Sequence, residues 1–136
     1  MIFNVFTDGG SRNNPGPAAV GVVIQDAANK NILHSFGQTI GVATNNVAEY
    51  QAVIAAQEWL IANKKSGEFR FFLDSQLVVN QLNGLWKIKD AGLRQKIIFI
   101  RQLEAKLKSV IKYAAIPREK NTLADRLVNR ALDHQL

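Results

Sequence analysis

Apolar residues recur along the chain with two different periods, one typical of strands and one typical of helices. Short apolar runs bounded by Gly, Pro, Asn or Lys predict strands over residues 2–7, 18–25, 31–40, 69–73 and 110–116. Longer segments with helical spacing predict helices over residues 45–63, 91–109 and 122–134. A shorter helix is expected to follow Asp74, with that acid as its N-cap.

The resulting order of elements, β-β-β-α-β-α-α-β-α, predicts an α/β protein. The polar connection at residues 26–30 is short, which favours an antiparallel hairpin between the second and third strands. Helical crossovers then place the first, fourth and fifth strands parallel to one another. We expect a mixed five-stranded sheet in the order 3-2-1-4-5, flanked by helices. No repeat or long linker divides residues 1–136, so we expect a single domain.

The composition narrows the class of protein. Apolar residues make up 47% of the chain and charged residues 21%, as in ordinary globular domains. No apolar run approaches the ~18 residues that span a bilayer, and no signal-peptide pattern is present, so we expect no membrane partner. The absence of cysteine excludes disulfides and thiolate zinc sites, and we expect a cytoplasmic location.

Positive charge is concentrated in one stretch of the chain. Residues 87–120 carry ten basic and three acidic residues, a net charge of +7, which leaves −1 for the rest of a chain whose total is +6. A local surplus of this kind predicts a polyanionic partner, most often a nucleic acid. A solvated helix face is the ordinary alternative, and charge alone leaves both interpretations open.

Four acidic residues occupy positions that folding is expected to bring together. Asp8 and Asp74 follow the predicted first and fourth strands, and parallel strands present their carboxyl ends at one edge of a sheet. Glu49 shares a helix face with apolar residues, and Asp125 borders the apolar stripe of the last helix. Clustered carboxylates raise one another's pKa unless a cation neutralises them. Hard oxygen ligands of this kind suit Mg²⁺ or Mn²⁺.

Each acid also has an ordinary structural explanation. Asp8 suits the start of a glycine-containing turn, and Asp74 suits a helix N-cap. Glu49 can complete a capping box with Asn46, and Asp125 can complement the dipole of the last helix. A structural protein has no need to aim four acids at one place, because burying like charges is costly. The joint pattern therefore favours a metal-dependent active site.

Four stretches of the sequence resemble the motif blocks of the type 1 ribonuclease H family. In chain order they are TDGGSRNNPGPAAVGVVI, TNNVAEYQAVIAA, LDSQLVVNQL and PREKNTLADRLVNRAL. The resemblance covers nearly the whole chain and implies the ribonuclease H-like fold. It also implies an endonuclease that cleaves the RNA strand of RNA–DNA hybrids and leaves 5′-phosphate and 3′-hydroxyl ends. The Asp-Glu-Asp-Asp set of the family falls on Asp8, Glu49, Asp74 and Asp125.

The resemblance implies two Mg²⁺ ions as cofactors, with Mn²⁺ as a substitute. In such sites two metals, about 4 Å apart, clamp an in-line phosphoryl displacement. Asp8 is expected to bridge the two ions. Glu49 and Asp74 are expected to complete the shell of one ion, and Asp125 to bind the other.

Contacts to the substrate follow from the same resemblance. In this family the glycine turn and the amides near the first helix lie along the minor groove and touch RNA 2′-hydroxyl groups, which distinguish RNA from DNA. The matching residues are Gly10, Ser11, Asn45, Asn46 and Gln76.

Two further residues resemble those that hold a phosphate of the DNA strand. They are Asn14 and Thr44. Asn14 precedes Pro15, so a plain turn residue is an equally good interpretation of it.

The chain departs from many family members between its second and third helices. Those members insert a basic helix and loop there, called the handle, whereas residues 83–95 join the two helices directly here. Lys87, Lys89, Arg94 and Lys96 are expected to supply part of the missing charge. Trp86 can stack on a sugar, but a tryptophan that caps the core is the favoured interpretation.

A second departure lies before the last aspartate, where many members carry a histidine. The loop reads IPREKNTL here, and the two histidines of the chain, His34 and His134, lie elsewhere. The sequence resembles a compact, handle-less branch of the family whose loop also carries P-R-E-x-N. Arg118 is expected to take over the role of the histidine, by holding the scissile phosphate or by assisting turnover.

Two other functions share these features. A non-catalytic module could bind hybrids or double-stranded RNA, but degenerate members usually lack at least one of the acids. A related nuclease acting on other nucleic acids is compatible with the fold alone, although the NNPGP and TNNVAE blocks favour hybrids. Double-stranded RNA stays open as a second substrate, and a monomer is the basic expectation.

Overall fold

The computed structural model describes residues 1–134 and contains a five-stranded mixed sheet. The strands are β1 Ile2–Ser11, β2 Gly16–Asp26, β3 Ile32–Ala43, β4 Glu68–Leu73 and β5 Val110–Ala115. The helices are α1 Asn45–Ala62, α2 Gln76–Leu82, α3 Ala91–Leu107 and α4 Thr122–Leu132, with a 3₁₀ turn at Arg118–Lys120. Every predicted element is present, and the order of the elements is confirmed.

The predicted sheet order 3-2-1-4-5 is also confirmed. β1 pairs antiparallel with β2, which pairs antiparallel with β3. β1 pairs parallel with β4, and β4 pairs parallel with β5. The carboxyl ends of β1, β4 and β5 therefore meet at one edge of the sheet, as expected for strands joined by helical crossovers.

β1 is longer than the apolar pattern predicted. The pattern ends at residue 7, but the antiparallel ladder continues through Gly9 opposite Val20 to Ser11 opposite Ala18. Asp8 therefore lies inside β1, opposite Gly21, and not after its end. The parallel ladder between β1 and β4 stops earlier, at Phe6, so Asp8 still lies beyond the end of that pair.

The start of α2 also differs from the prediction. The N-cap is Ser75, whose hydroxyl oxygen accepts a hydrogen bond from the Val78 backbone N–H at 3.3 Å. Asp74 was expected in that position. Because Ser75 satisfies the end of the helix, the Asp74 carboxylate is available for other contacts.

The main apolar core lies between the sheet and the helices α1 and α3. Its largest fully buried side chains include Tyr50, Phe69, Phe71 and Leu60. α4 packs on the other face of the sheet, where Ala19 meets Val128 and Ala131 in a second, smaller cluster. Burial of both sheet faces explains why β2 reads as a nearly continuous apolar run.

The segment 83–90 joins α2 to α3 without a helix of its own, as the missing handle predicted. Ile88 packs against the main core, whereas Trp86 is 52% exposed. The favoured interpretation of Trp86 as a residue that caps the core is therefore wrong. Within residues 1–134, no helix is both long and apolar enough to cross a membrane.

Candidate active site

A cavity of about 470 Å³ opens beside the carboxyl ends of the parallel strands. The four acids singled out from the sequence line this cavity, although they come from four separate parts of the chain. They are Asp8, Glu49, Asp74 and Asp125. Arg118, from the 3₁₀ turn, lines the same cavity. The structure thus brings together residues that lie up to 117 positions apart, from Asp8 to Asp125.

Three of the acids form a compact cluster. Asp8, Glu49 and Asp74 each offer one carboxylate oxygen, and these three oxygens lie within 4.8 Å of one another. Asp8 and Glu49 are buried and Asp74 is partly buried. Asp125 approaches from α4 on the other face of the sheet and lies close enough to raise the pKa of Asp8 through its charge.

Close backbone contacts at two glycines bring the helices within reach of Asp8. A Cβ atom on Gly9 would lie 2.1 Å from the carbonyl oxygen of Ala48, next to Glu49 in α1. A Cβ atom on Gly21 would lie 2.2 Å from the carbonyl oxygen of Ala124, next to Asp125 in α4. Glycine is therefore required at both positions for the acids of α1 and α4 to reach the strand that carries Asp8.

A buried asparagine fixes the start of α4. The Asn121 side chain is 1% exposed, and its Nδ2 donates a hydrogen bond to the Thr7 carbonyl oxygen at 2.9 Å. The carbonyl oxygen of Asn121 accepts from the Asp125 N–H at 3.1 Å. The position of Asp125 is therefore tied directly to the residue that precedes Asp8 in β1.

Burial and mutual repulsion make the ionised forms of the clustered acids unfavourable when no cation is bound. Burial raises the pKa of Asp8 to about 7, and the charges of Asp74 and Asp125 add to this, against an opposing hydrogen bond with Glu49. Burial raises the pKa of Glu49 well above its usual value, and the Asp8 charge adds to it. The Gly9 N–H, 3.5 Å from Glu49 Oε1, opposes that rise only in part.

The cluster fits a divalent cation. Glu49 Oε2 is buried and has no hydrogen-bond partner within the described part of the chain. A buried carboxylate oxygen without a partner is costly unless a cation binds it. The ligands on offer are carboxylate oxygens, which hard ions such as Mg²⁺ and Mn²⁺ prefer.

Four of the residues expected to contact the substrate line the cavity. They are Gly10, Ser11, Asn45 and Asn46. Asn45 Oδ1 accepts hydrogen bonds from the Ser11 N–H at 2.9 Å and from the Ser11 hydroxyl at 3.3 Å. These two donors fix the orientation of the Asn45 amide, so its nitrogen is the group that remains for a ligand.

The other three expected substrate residues do not line the cavity. Asn14 Oδ1 accepts from the Asn45 N–H at 2.9 Å, so this side chain ties the β1–β2 turn to α1 and does more than turn the chain. Thr44 is the N-cap of α1, and its hydroxyl accepts from the Val47 N–H at 3.2 Å. Gln76, at the start of α2, donates to Asn80 Oδ1 at 2.9 Å on the surface.

Three further polar residues line the cavity that the sequence did not single out. They are Arg12, Ser75 and Asn129. Asn129 lies four positions after Asp125, so helical periodicity could have found it. Arg12 directly follows Ser11 in the turn, but a single arginine in a polar turn carries no signal of its own.

Comparison with known proteins gives one family match. A family model described as reverse transcriptase-like matches residues 6–131. A bifunctional protein of Mycobacterium tuberculosis is 42% identical over 93% of this chain, and the match covers 34% of that protein. The chain therefore spans about a third of the length of the mycobacterial relatives that it matches.

Solved structures resemble the chain over almost its whole length. The crystal structure of RNase H1 from the halophilic archaeon Halobacterium salinarum has a TM-score of 0.92 at 42% identity, covering 98% of this chain and 99% of that one. LC11-RNase H1 in complex with an RNA/DNA hybrid has a TM-score of 0.92 at 41% identity, covering 97% of each chain.

Proposed function

Because the chain belongs to the reverse transcriptase-like family and resembles solved RNase H1 structures over nearly its whole length, we propose that it is a ribonuclease H. It would hydrolyse the RNA strand of RNA–DNA hybrids as an endonuclease, leaving 5′-phosphate and 3′-hydroxyl ends. The observation that carries this proposal is the cluster of Asp8, Glu49 and Asp74, whose oxygens lie within 4.8 Å of one another in an open cavity.

The family implies the use of a divalent metal, and the acidic cluster suits one. We propose two Mg²⁺ ions, for which Mn²⁺ can substitute. When bound, these ions supply positive charge that stabilises the attacking and leaving oxygens of an in-line displacement at phosphorus. Asp8 interacts with each of the other three acids and would hold both ions, with Glu49 and Asp74 as further ligands of one ion and Asp125 as a ligand of the other.

The residues of the chain then have separate tasks. The acids place negative charge at a fixed position, because α1 and α4 contact the sheet closely at Gly9 and Gly21 and Asn121 is bonded to Thr7 of β1. Arg118 lines the cavity and carries a permanent positive charge, which suits it to hold the scissile phosphate. Its position in a short 3₁₀ turn, and not in a strand, would also allow it to move as product leaves.

The turn after β1 and the start of α1 form the proposed binding surface for the hybrid. Gly10, Ser11, Asn45 and Asn46 face the same cavity as the acids. The nitrogen of the Asn45 amide is oriented for donation to a 2′-hydroxyl group, which RNA has and DNA lacks. Asn14 and Thr44 are proposed to contact a phosphate of the DNA strand from the neighbouring surface, and Gln76 an RNA 2′-hydroxyl group.

A cleavage assay with three substrates tests the proposal. Labelled RNA–DNA hybrid, duplex RNA and duplex DNA are each incubated with the protein in Mg²⁺, Mn²⁺ or EDTA. We expect cleavage of the RNA in the hybrid with either metal, none in EDTA, and none of duplex DNA. Asp8→Asn should abolish cleavage, and hybrid cleavage that persists in this variant would contradict the assignment of the site.

The same assay separates the remaining possibilities. Cleavage of duplex RNA would add double-stranded RNA as a second substrate. Salt-sensitive binding of the hybrid without any cleavage in Mn²⁺ would show a binding module in place of an enzyme. We further propose that the protein acts as a monomer, which sedimentation at the assay concentration would test.

A further inference from the structure

Arginine side chains line the acidic cavity at two places that are far apart in the sequence. One is Arg118, and the other is Arg12, which follows the carboxyl end of β1 directly. The same cavity is lined by Asp8, Glu49, Asp74 and Asp125. Because the acids repel a polyanionic strand unless cations compensate them, positively charged side chains in the same cavity favour its binding.

The backbone at Arg12 is held in place by the turn. The Arg12 N–H donates to the Pro17 carbonyl oxygen at 2.9 Å, which closes the turn between β1 and β2. The preceding residue, Ser11, donates its N–H to Asn45 Oδ1 in α1 at 2.9 Å. The base of the Arg12 side chain is therefore fixed relative to both β2 and α1.

The guanidinium group of Arg12 is oriented by an acid at the end of α4. Arg12 Nη1 lies 2.6 Å from Asp133 Oδ1, and both side chains are nearly half exposed, at 46% and 43%. Asp133 is the C-cap of α4. A negative charge at this end of a helix is unfavourable, because the helix dipole is itself negative there. The hydrogen bond from Arg12 lowers the pKa of Asp133, so this acid stays charged beside its partner.

This ion pair is too exposed to contribute much to the stability of the fold. Exposed pairs typically contribute about 0–1 kcal/mol to stability. A guanidinium group carries five N–H donors, and the contact with Asp133 is made through Nη1. The remaining donors can bind a phosphate, for which the planar shape of arginine is well suited.

We infer that Arg12 binds a backbone phosphate of the strand that is cleaved, and that Asp133 orients it for this contact. The inference rests on the proposed function, since it assumes a nucleic-acid strand in the cavity. Arg12 is not one of the clustered acids and would contact a phosphate that takes no part in the reaction, so it should act equally on the bound substrate and on the transition state. Its loss should therefore raise KM and leave kcat nearly unchanged.

Four variants test the inference. They are Arg12→Gln, Arg12→Lys, Asp133→Asn and the control Arg126→Gln, which removes another exposed arginine, one in α4 outside the cavity. KM and kcat for the hybrid are measured at several KCl concentrations, with the melting temperature of each variant. Equilibrium binding of labelled hybrid, measured by fluorescence anisotropy in Ca²⁺, is recorded in parallel.

Arg12→Gln should raise KM and the dissociation constant about tenfold, with kcat within about twofold of the wild type. The slope of log affinity against log salt should fall by about one, as for the loss of one phosphate contact. Arg12→Lys should recover only part of the affinity, because lysine lacks the planar fork. Asp133→Asn should keep the full salt slope, and Arg126→Gln should match the wild type.

Two results would overturn the inference. One is an Arg12→Gln variant whose affinity and salt slope equal those of the wild type. The other is an equal fall in melting temperature and in affinity in Arg12→Gln and Asp133→Asn, which would show that the ion pair acts only by stabilising the fold. If the wild type binds the hybrid without cleaving it, the proposed function fails, while the binding data still decide the role of Arg12.

Discussion

At the scale of single residues, the burial of Asp8 works against its own charge. The side chain is 7% exposed and faces three other acids, so its pKa is raised from 3.8 to about 7. The pKa of Glu49 is also raised, again mainly by burial. Without a cation, the folded protein therefore prefers these groups protonated, and a divalent cation and a proton compete for the same place.

This competition predicts how the stability of the metal-free protein depends on pH. Between pH 4 and 7 folded Asp8 binds a proton that unfolded Asp8 has released, so the free energy of unfolding falls as pH rises. The slope from this group should approach about 1.4 kcal/mol per pH unit. Asp8→Asn should remove the contribution of Asp8 to this pH dependence, so the variant should be more stable than the wild type at pH 8 in EDTA. Urea unfolding at pH 4, 6 and 8 measures this.

The effect of Mg²⁺ on the two proteins provides a control. Adding Mg²⁺ at pH 8 should raise the melting temperature of the wild type and have much less effect on Asp8→Asn. If the stability difference between the two proteins in EDTA is independent of pH, Asp8 does not have a raised pKa in the folded state.

Arg118 is the second residue whose role can be isolated. It is exposed in the 3₁₀ turn and lines the cavity, so a substitution should leave the fold intact. Arg118→Ala should lower kcat severalfold or more, because it removes the charge that we propose holds the scissile phosphate. Lys120→Ala, in the same turn but outside this cavity, is the matched control. Steady-state kinetics that are unchanged in Arg118→Ala would remove this residue from the site.

At the scale of elements, the least obvious requirement is the docking of α4. This helix lies on the face of the sheet opposite α1, yet it must deliver Asp125 to within reach of Asp8. Gly21 allows the close backbone contact, and Asn121 bonds to the Thr7 carbonyl oxygen just before Asp8. The loop before α4 therefore positions the fourth acid, in addition to carrying Arg118.

Asn121→Ala tests this role of the loop. The change removes a buried hydrogen bond and leaves the Thr7 carbonyl oxygen without this donor, so the free energy of unfolding should fall by about 1–3 kcal/mol. Activity should fall as well, because the start of α4 is released. Arg126→Ala, at an exposed position of the same helix and outside the cavity, should change stability by less than about 0.5 kcal/mol. Chemical denaturation of both variants gives the comparison, and equal stabilities would contradict the role of Asn121.

The elements also show which parts of the structure could be predicted. Apolar periodicity was sufficient for the order of elements, since short apolar runs mark the strands and helical spacing of apolar residues marks the helices. It could not predict that β1 continues past Asp8, because Gly9 and Gly10 carry no apolar signal and pair through their backbone alone. It placed the N-cap of α2 one residue early, because Asp74 and Ser75 are both good caps and only the fold directs one of them to the cavity.

At the scale of the whole molecule, the acids and the positive charge are separated along the chain. The acids of the cavity come from the ends of the sheet and from α1 and α4, whereas residues 87–120 carry a net charge of +7. The sequence was sufficient to find both groups. It could not place Trp86 or Arg12, because exposure and ion pairing depend on tertiary contacts that no local pattern records.

The last prediction concerns segment 83–90, which lies where many members of the ribonuclease H family have a handle. Lys87 and Lys89 are exposed in it, and we expect them to contact phosphates of the hybrid. The double variant Lys87→Gln and Lys89→Gln should weaken binding of all hybrid sequences equally and reduce the salt slope by up to about two, with kcat nearly unchanged.

The matched control for this pair is the double variant Lys64→Gln and Lys65→Gln. These lysines follow α1 and precede β4, at the edge of the sheet opposite the cavity. Both double variants lower the net charge of the protein by two, so a general electrostatic effect would change their affinities equally. Only a contact made by the segment itself would lower the salt slope for Lys87 and Lys89 and leave it unchanged for Lys64 and Lys65. Equal slopes in the two variants would exclude segment 83–90 from the binding surface.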